Sequence, residues 1–90
     1  MKRYIIERDI PGLGAMTNAE YCDMSRASNK VLADLAPKVQ WDHSYVTKDK
    51  LFCIYIADSE AAVLEHAKRG GFPANKVTEI SRIIDPVTGA

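Results

Sequence analysis

The chain has 90 residues, of which twelve are basic and twelve acidic, so its formal net charge is zero. This length suits a single domain over residues 1–90. The balanced charge argues against binding to nucleic acid or to an anionic membrane, since both need a concentrated positive field. No apolar run approaches the roughly 18 residues of a transmembrane helix. The cysteines Cys22 and Cys53 are far apart and no signal-peptide pattern follows Met1, so we expect reduced thiols and a cytoplasmic location.

The first half of the chain reads as a strand followed by a helix. Arg3–Asp9 is rich in β-branched residues and predicts a strand, which the proline and glycines of Ile10–Gly14 end. Thr17 with Glu20 three residues later is a capping-box pattern that marks the start of a helix. Apolar side chains then recur at helical spacing from Tyr21 to Leu35, and an Ala-Pro pair ends the helix.

The second half predicts a hairpin, a helix and a last strand. A tight turn joins the predicted strands Val39–Val46 and Leu51–Ala57. A second helix begins at Asp58 or Ser59 and ends at the glycine pair 70–71, and Val77–Ile84 forms the last strand. The order βαββαβ predicts an α+β ferredoxin-like sandwich, a four-stranded antiparallel sheet with two helices on one face.

The hairpin carries apolar or aromatic side chains on both of its faces. If Val46 pairs with Leu51, strict alternation places Trp41, His43 and Tyr45 on one face. On β-strand 51–57 the same face then carries Phe52, Ile54 and Ile56. The opposite face of the hairpin carries Asp42, Ser44, Val46, Leu51, Cys53 and Tyr55. The two helices cover only one side of the sheet. An uncovered apolar face predicts an interface, so we expect a homodimer through the open sheet face.

The side chains able to bind a metal are His43, His66, Cys53 and Glu7. Imidazole nitrogens are common ligands of transition metals, and a thiolate or carboxylate can complete the site. We expect Glu7 and Cys53 on one face of the sheet and His43 on the other, so a second subunit would have to contribute ligands. No short-range spacing such as His-x-x-x-His supports the site. Either histidine can also serve structure alone, through hydrogen bonds or at a helix end.

Four segments, which together span most of the chain, resemble a known family. They are Tyr4–Gly12, Trp41–Val46, Phe52–Tyr55 and His66–Ala74. They resemble a family of small bacterial ferredoxin-like proteins of formerly unknown function that includes a nickel-binding, nickel-responsive protein. The resemblance implies a homodimeric α+β sandwich that binds a nickel ion and has no established enzymatic reaction. It also implies that the motif positions are Glu7, His43, Cys53 and His66.

Three functions remain open at this point. The first is a cytoplasmic homodimer that binds a divalent transition metal, nickel above all, and buffers or sequesters it. The second is a small cofactor-independent, monooxygenase-like enzyme, whose substrate the sequence does not name. It would have an apolar pocket lined by Trp41, Tyr45, Phe52 and Tyr55, with a histidine handling the proton. The third is an interaction module whose histidines only satisfy internal hydrogen bonds.

Overall fold

The chain folds into one four-stranded sheet with two helices, described over residues 1–90 by a computed structural model. The elements are β1 (Lys2–Asp9), α1 (Asn18–Leu35), β2 (Val39–Val46), β3 (Lys50–Ala57), α2 (Glu60–Gly70) and β4 (Lys76–Ile80). The strand order is β2-β3-β1-β4 and every neighbouring pair is antiparallel. This confirms the predicted ferredoxin-like α+β sandwich. Neither helix is both long and apolar enough to cross a membrane.

Both helices begin at the capping residues that the sequence indicates. The Thr17 hydroxyl accepts a hydrogen bond from the Glu20 backbone N–H (3.2 Å), and the Glu20 carboxylate accepts one from the Thr17 N–H (3.1 Å). This reciprocal pair satisfies two of the N–H groups that a helix start leaves without partners. Ser59 caps α2 by accepting from the Ala62 N–H. Gly71 then ends α2 in the left-handed conformation, with φ of 68°.

The last strand is shorter than predicted. The sequence pattern placed it at Val77–Ile84, but β4 ends at Ile80. Ile80 pairs with Arg3, and because β1 begins only one residue before Arg3, little neighbouring backbone remains for a longer strand to pair with. Residues 81–90 are all exposed as a result.

The hairpin register follows the prediction only in the half next to the turn. Val46 pairs with Leu51 and His43 with Ile54, as expected, but Trp41 then pairs with Tyr55. Asp42 is therefore an extra residue on β2, a β-bulge, and such a bulge reverses the alternation of side chains beyond it. The predicted placement of Trp41 beside His43 is wrong, because the bulge turns the indole to the opposite side of the sheet.

The helices cover one side of the sheet, and the core lies between them and that side. The residues of β1 and β3 that are buried there are Tyr4, Ile6, Arg8, Leu51, Cys53, Tyr55 and Ala57. We call the other side of the sheet the open face; it carries Arg3, Ile5, Glu7, Asp42, His43, Tyr45, Phe52, Ile54 and Ile56. Only 15 of the 90 residues are buried. A small buried fraction is expected for a chain of this length, because short domains have a high surface-to-volume ratio.

The capping box of α1 gives a direct test of this account of the fold. We expect Thr17→Ala to lower the free energy of unfolding by about 1 kcal/mol, because the first turn of α1 loses its side-chain acceptor. Urea unfolding followed by circular dichroism measures the change.

Thr88→Ala is the matched control for this substitution. Thr88 takes part in the same kind of box with Asp85, but in a short turn that buries nothing. We expect it to leave the unfolding free energy within about 0.5 kcal/mol of the wild-type value. Equal losses for the two variants would contradict the role assigned to Thr17.

Candidate functional site

His43 lies on the open face and is held in one tautomer by its neighbours. Its Nδ1–H donates to the Asp42 carboxylate, and its Nε2 accepts from the Tyr45 hydroxyl at 3.0 Å. A carboxylate accepts hydrogen bonds only, so the proton of the neutral ring belongs on Nδ1. The lone pair of Nε2 therefore accepts the Tyr45 hydrogen bond, on a side chain that is 45% exposed. Histidines that bind a metal through one nitrogen usually donate from the other to a carboxylate, as Nδ1 of His43 does here.

Asp42 is a site residue that the sequence analysis missed. Strict alternation placed Asp42 on the face opposite His43, whereas the bulge brings both side chains to the open face, where Asp42 also lies 3.9 Å from the Arg3 guanidinium. Only adjacency in the sequence hinted at the pair. A bulge depends on the partner strand, and for that reason the pattern of β2 alone does not reveal it.

Glu7 shares the open face with His43 but does not reach it. Glu7 on β1 pairs with Phe52, and Phe52 in turn pairs with Tyr45 on β2. Two strand spacings, about 10 Å, therefore separate the backbone of Glu7 from β2, and Phe52 lies between them. The Glu7 carboxylate is instead 3.9 Å from the Lys50 ammonium.

Cys53 and His66 lie on the other side of the sheet. Cys53 pairs with the buried Ile6 and faces the helices, so the expectation that it shares a face with Glu7 is wrong. His66 is fully buried on α2. The four predicted ligands are thus divided between the two sides. No group of three His, Cys, Asp or Glu side chains in this chain is close enough to hold a metal ion.

His66 is a neutral histidine inside the core. Its Nε2 shares a hydrogen bond of 3.0 Å with the Ser28 hydroxyl, and its ring packs between those of Tyr55 and Phe72. Nδ1 is buried without a hydrogen-bond partner. Burial, together with the nearby positive charge of Arg8, lowers the pKa of His66 from 6.5 to about 4. The imidazole is therefore uncharged at neutral pH.

Arg8 is a buried cation that the sequence analysis did not single out. It is only 2% exposed, and its guanidinium donates to the Pro73 carbonyl and to the Tyr55 hydroxyl. It also lies over the rings of Phe72 and Tyr55, at 5.5 and 5.9 Å from their centroids. The alternation of side chains along β1 could have revealed its burial, because Arg8 lies on the same face as the inward-facing Tyr4 and Ile6.

A cavity of about 180 Å³ lies between the helices and the sheet. Trp41 and Tyr55 line it, as predicted for the pocket of an enzyme. Tyr45 and Phe52 were expected there too, but they lie on the open face. Neither histidine is among the lining residues. The acid–base group of the enzyme hypothesis is therefore missing from the wall of this cavity.

Comparison with known families gives a match over most of the chain. The model of the SCO4226-like family, described as nickel responsive proteins, matches residues 4–80. The chain belongs to this family. The match ends where β4 ends, so the exposed residues 81–90 lie outside it. A nickel-related role follows from the description of the SCO4226-like family, in agreement with the resemblance seen in the sequence.

A solved structure supports the same fold. The crystal structure of SCO4226 from Streptomyces coelicolor A3(2) superposes with a TM-score of 0.77, covering 91% of this chain and 99% of that chain. The two sequences are 16% identical, so the likeness shows the fold alone. No curated protein sequence matches this chain.

The buried state of His66 predicts a pH-dependent stability. The unfolded chain binds a proton at this residue near pH 6.5, but the folded chain does so only near pH 4. The stabilisation is therefore complete above pH 6.5 and is lost as the pH falls toward 4, by an amount on the order of 3 kcal/mol. Urea unfolding at pH 7.5 and 4.5 measures it, and the titration of the His66 ring by NMR gives its pKa directly.

Two glutamine variants separate this effect from the protonation of carboxylates, which all variants share. His66→Gln keeps a polar group near Ser28 but cannot be protonated, so we expect its stability to fall less between the two pH values. His43→Gln changes the exposed histidine, so this variant should keep the full loss of stability that His66 causes between the two pH values. If His66→Gln and the wild type lose equal free energy, His66 is not the residue responsible.

Proposed function

We propose that this protein is a cytoplasmic, homodimeric nickel-binding protein that buffers or sequesters the metal. The observation that carries the proposal is the pair of Asp42 and His43, which orients the imidazole so that its Nε2 lone pair, now bonded by the Tyr45 hydroxyl, lies on the exposed face of the sheet. The membership in a nickel-responsive family makes nickel the first metal to consider. The free thiols of Cys22 and Cys53 are consistent with a reducing compartment.

The ligand chemistry of the open face suits a borderline metal ion. Nickel accepts imidazole and carboxylate ligands, as copper and zinc also do, so affinity by itself does not select among them. In the proposed site His43 binds through Nε2, and Asp42 fixes the ring and raises its basicity. The Tyr45 hydroxyl gives up its hydrogen bond to Nε2 when the metal takes that lone pair.

One chain supplies too few ligands on this face for tight binding, which is why the proposal includes a second copy. Two facing sheets would provide two copies of His43, with two carboxylates of Glu7 on the same faces. In this arrangement Cys53 and His66 are core residues rather than ligands, because the sheet separates them from the open face. The contact between the two open faces then forms both the dimer and the metal site.

The apolar surface of the chain supports association of two copies. The open face carries Tyr45, which is 58% exposed, and the half-buried Ile5 and Ile56, whereas Ile54 beside them is buried. Ile83, Ile84 and Val87 in the C-terminal segment are also largely exposed. A contiguous apolar patch is typical of an interface, and the proposal places that patch around Tyr45. A net charge of zero adds no repulsion between two copies.

Nickel titration by calorimetry tests the metal site, using protein without a histidine tag. We expect Asp42→Asn to weaken nickel binding roughly 10- to 100-fold, since the ring loses its carboxylate partner. We expect His43→Ala to weaken binding further, because it removes the ligand itself. The stoichiometry should be one nickel ion for each two chains.

His66→Gln is the control for this titration, and it should bind nickel as the wild type does. If instead folded His66→Gln loses nickel binding while His43→Ala retains it, the site lies on the helix side of the sheet. Binding that is unchanged in His43→Ala refutes the proposed ligand.

Sedimentation velocity, with and without nickel, tests the dimer. Ile5→Lys introduces a charge near the centre of the open face, and we expect it to raise the dimer dissociation constant by roughly 100-fold or more. Leu64→Lys makes the same change at an exposed leucine of α2, away from this face, and should remain dimeric. A wild type that sediments as a monomer with and without nickel overturns the homodimer.

A further inference from the structure

The buried guanidinium of Arg8 has no negative partner. No carboxylate lies within 4 Å of it, since all ion pairs of the chain involve other residues. An arginine cannot release its proton, so the charge stays in the core. Burying an unpaired charge is costly, and contacts with aromatic rings offset only part of that cost.

The groups around Arg8 do not neutralise it. Burial and the neighbouring Cys53 raise the pKa of Tyr55 to about 12, so the Tyr55 hydroxyl is uncharged. His66 is also neutral, as shown above. The guanidinium has five N–H groups, and two of them donate within the chain, to Pro73 and Tyr55. The rest are free to donate to another acceptor.

Arg8 also lines the cavity between the helices and the sheet. The remaining wall is mostly apolar, with Ile10, Met24, Trp41 and Leu51 among its residues. The cavity volume is about 180 Å³. A dry apolar cavity of about 150 Å³ is enough to bind benzene. One ring, or a short branched chain, therefore fits this space.

The cavity has a route to solvent. Met24, Ser25 and Trp41 at its wall are only partly buried, and Val46 is 47% exposed. A small molecule can therefore enter between α1 and the end of β2 without the core having to open. The wall of this cavity and the Asp42–His43 pair lie on opposite sides of the sheet, so neither site depends on the other.

We propose that this cavity binds a small monocarboxylate with an aromatic or branched apolar body, held by an ion pair between its carboxylate and Arg8. The carboxylate accepts from the N–H groups of Arg8 that lack partners, and the apolar body packs against Trp41 and its neighbours. Charge-assisted hydrogen bonds to arginine are strong in a partly dry site. The two requirements, one negative charge and a compact apolar body, define the class of ligand.

Trp41 is the only tryptophan of the chain and lies in the cavity wall, so its fluorescence reports on binding. The probe is benzoate, titrated into metal-free wild-type protein with excitation at the red edge of the tryptophan band. We expect a saturable change with a dissociation constant on the order of 1 mM or lower. Benzamide has the same shape without the charge and should bind at least tenfold more weakly.

Two arginines of β1 provide matched variants for this titration. Arg8→Gln should weaken benzoate binding at least tenfold and bring it close to that of benzamide. Arg3→Gln makes the same change on the open face and should leave benzoate binding unchanged. If Arg8→Gln does not fold, as judged by circular dichroism, Ser25→Phe replaces it. That substitution fills the cavity while Arg8 remains, and it should abolish binding.

Four outcomes overturn the proposal. The first is the absence of saturable benzoate binding, and the second is equal binding of benzoate and benzamide. The third is benzoate binding that survives both Arg8→Gln and Ser25→Phe. The fourth is inorganic phosphate binding as tightly as benzoate, because the apolar part of the cavity would then play no role. None of these results bears on nickel binding, which is measured at the other face.

Discussion

The bulge at Asp42 decides what each side of the sheet presents. In a regular strand Trp41 and His43 would share a face and Asp42 would lie on the other. The extra residue instead turns the Trp41 indole toward the helices and leaves Asp42 and His43 side by side on the open face. Because a bulge reverses the alternation of side chains along a strand, this one residue both turns Trp41 into the cavity wall and brings Asp42 beside His43.

The sheet divides the chemistry of this protein into two compartments. On the open face the carboxylates of Asp42 and Glu7 each lie 3.9 Å from a cation, Arg3 and Lys50 respectively. On the helix side Arg8 and His66 lie in a core with a low dielectric constant. The same residue type therefore behaves differently on the two sides: His43 is partly exposed and bonded to Asp42 and Tyr45, whereas His66 is kept neutral by burial.

The buried group of Arg8, Tyr55 and His66 is the costly part of the fold. Their hydrogen bonds and ring contacts hold α2 and the segment after it against the sheet. An unpaired charge in a small core lowers stability, so a binding role for Arg8 would account for a feature that packing alone does not favour. On the open face, the exposed Tyr45 is the apolar group that the proposed second copy would cover.

The sequence by itself determined the elements of this protein, since their causes are local. The capping box at Thr17, the cap at Ser59 and the glycine at position 71 each act within one turn of a helix. Alternation and helical spacing then gave the order of strands and helices, and with it the ferredoxin-like sandwich. Even the register of the hairpin next to the turn, from Val46 and Leu51 to His43 and Ile54, follows from the tight turn itself.

Only the tertiary structure decided which functional groups meet. The bulge at Asp42 depends on pairing with β3, and the end of β4 at Ile80 depends on where β1 begins. The burial of Arg8 and the separation of Glu7 from His43 depend on the stacking of whole elements. Distances between residues far apart in the chain are set by packing across the sheet, whereas the sequence patterns act only over a few neighbouring residues.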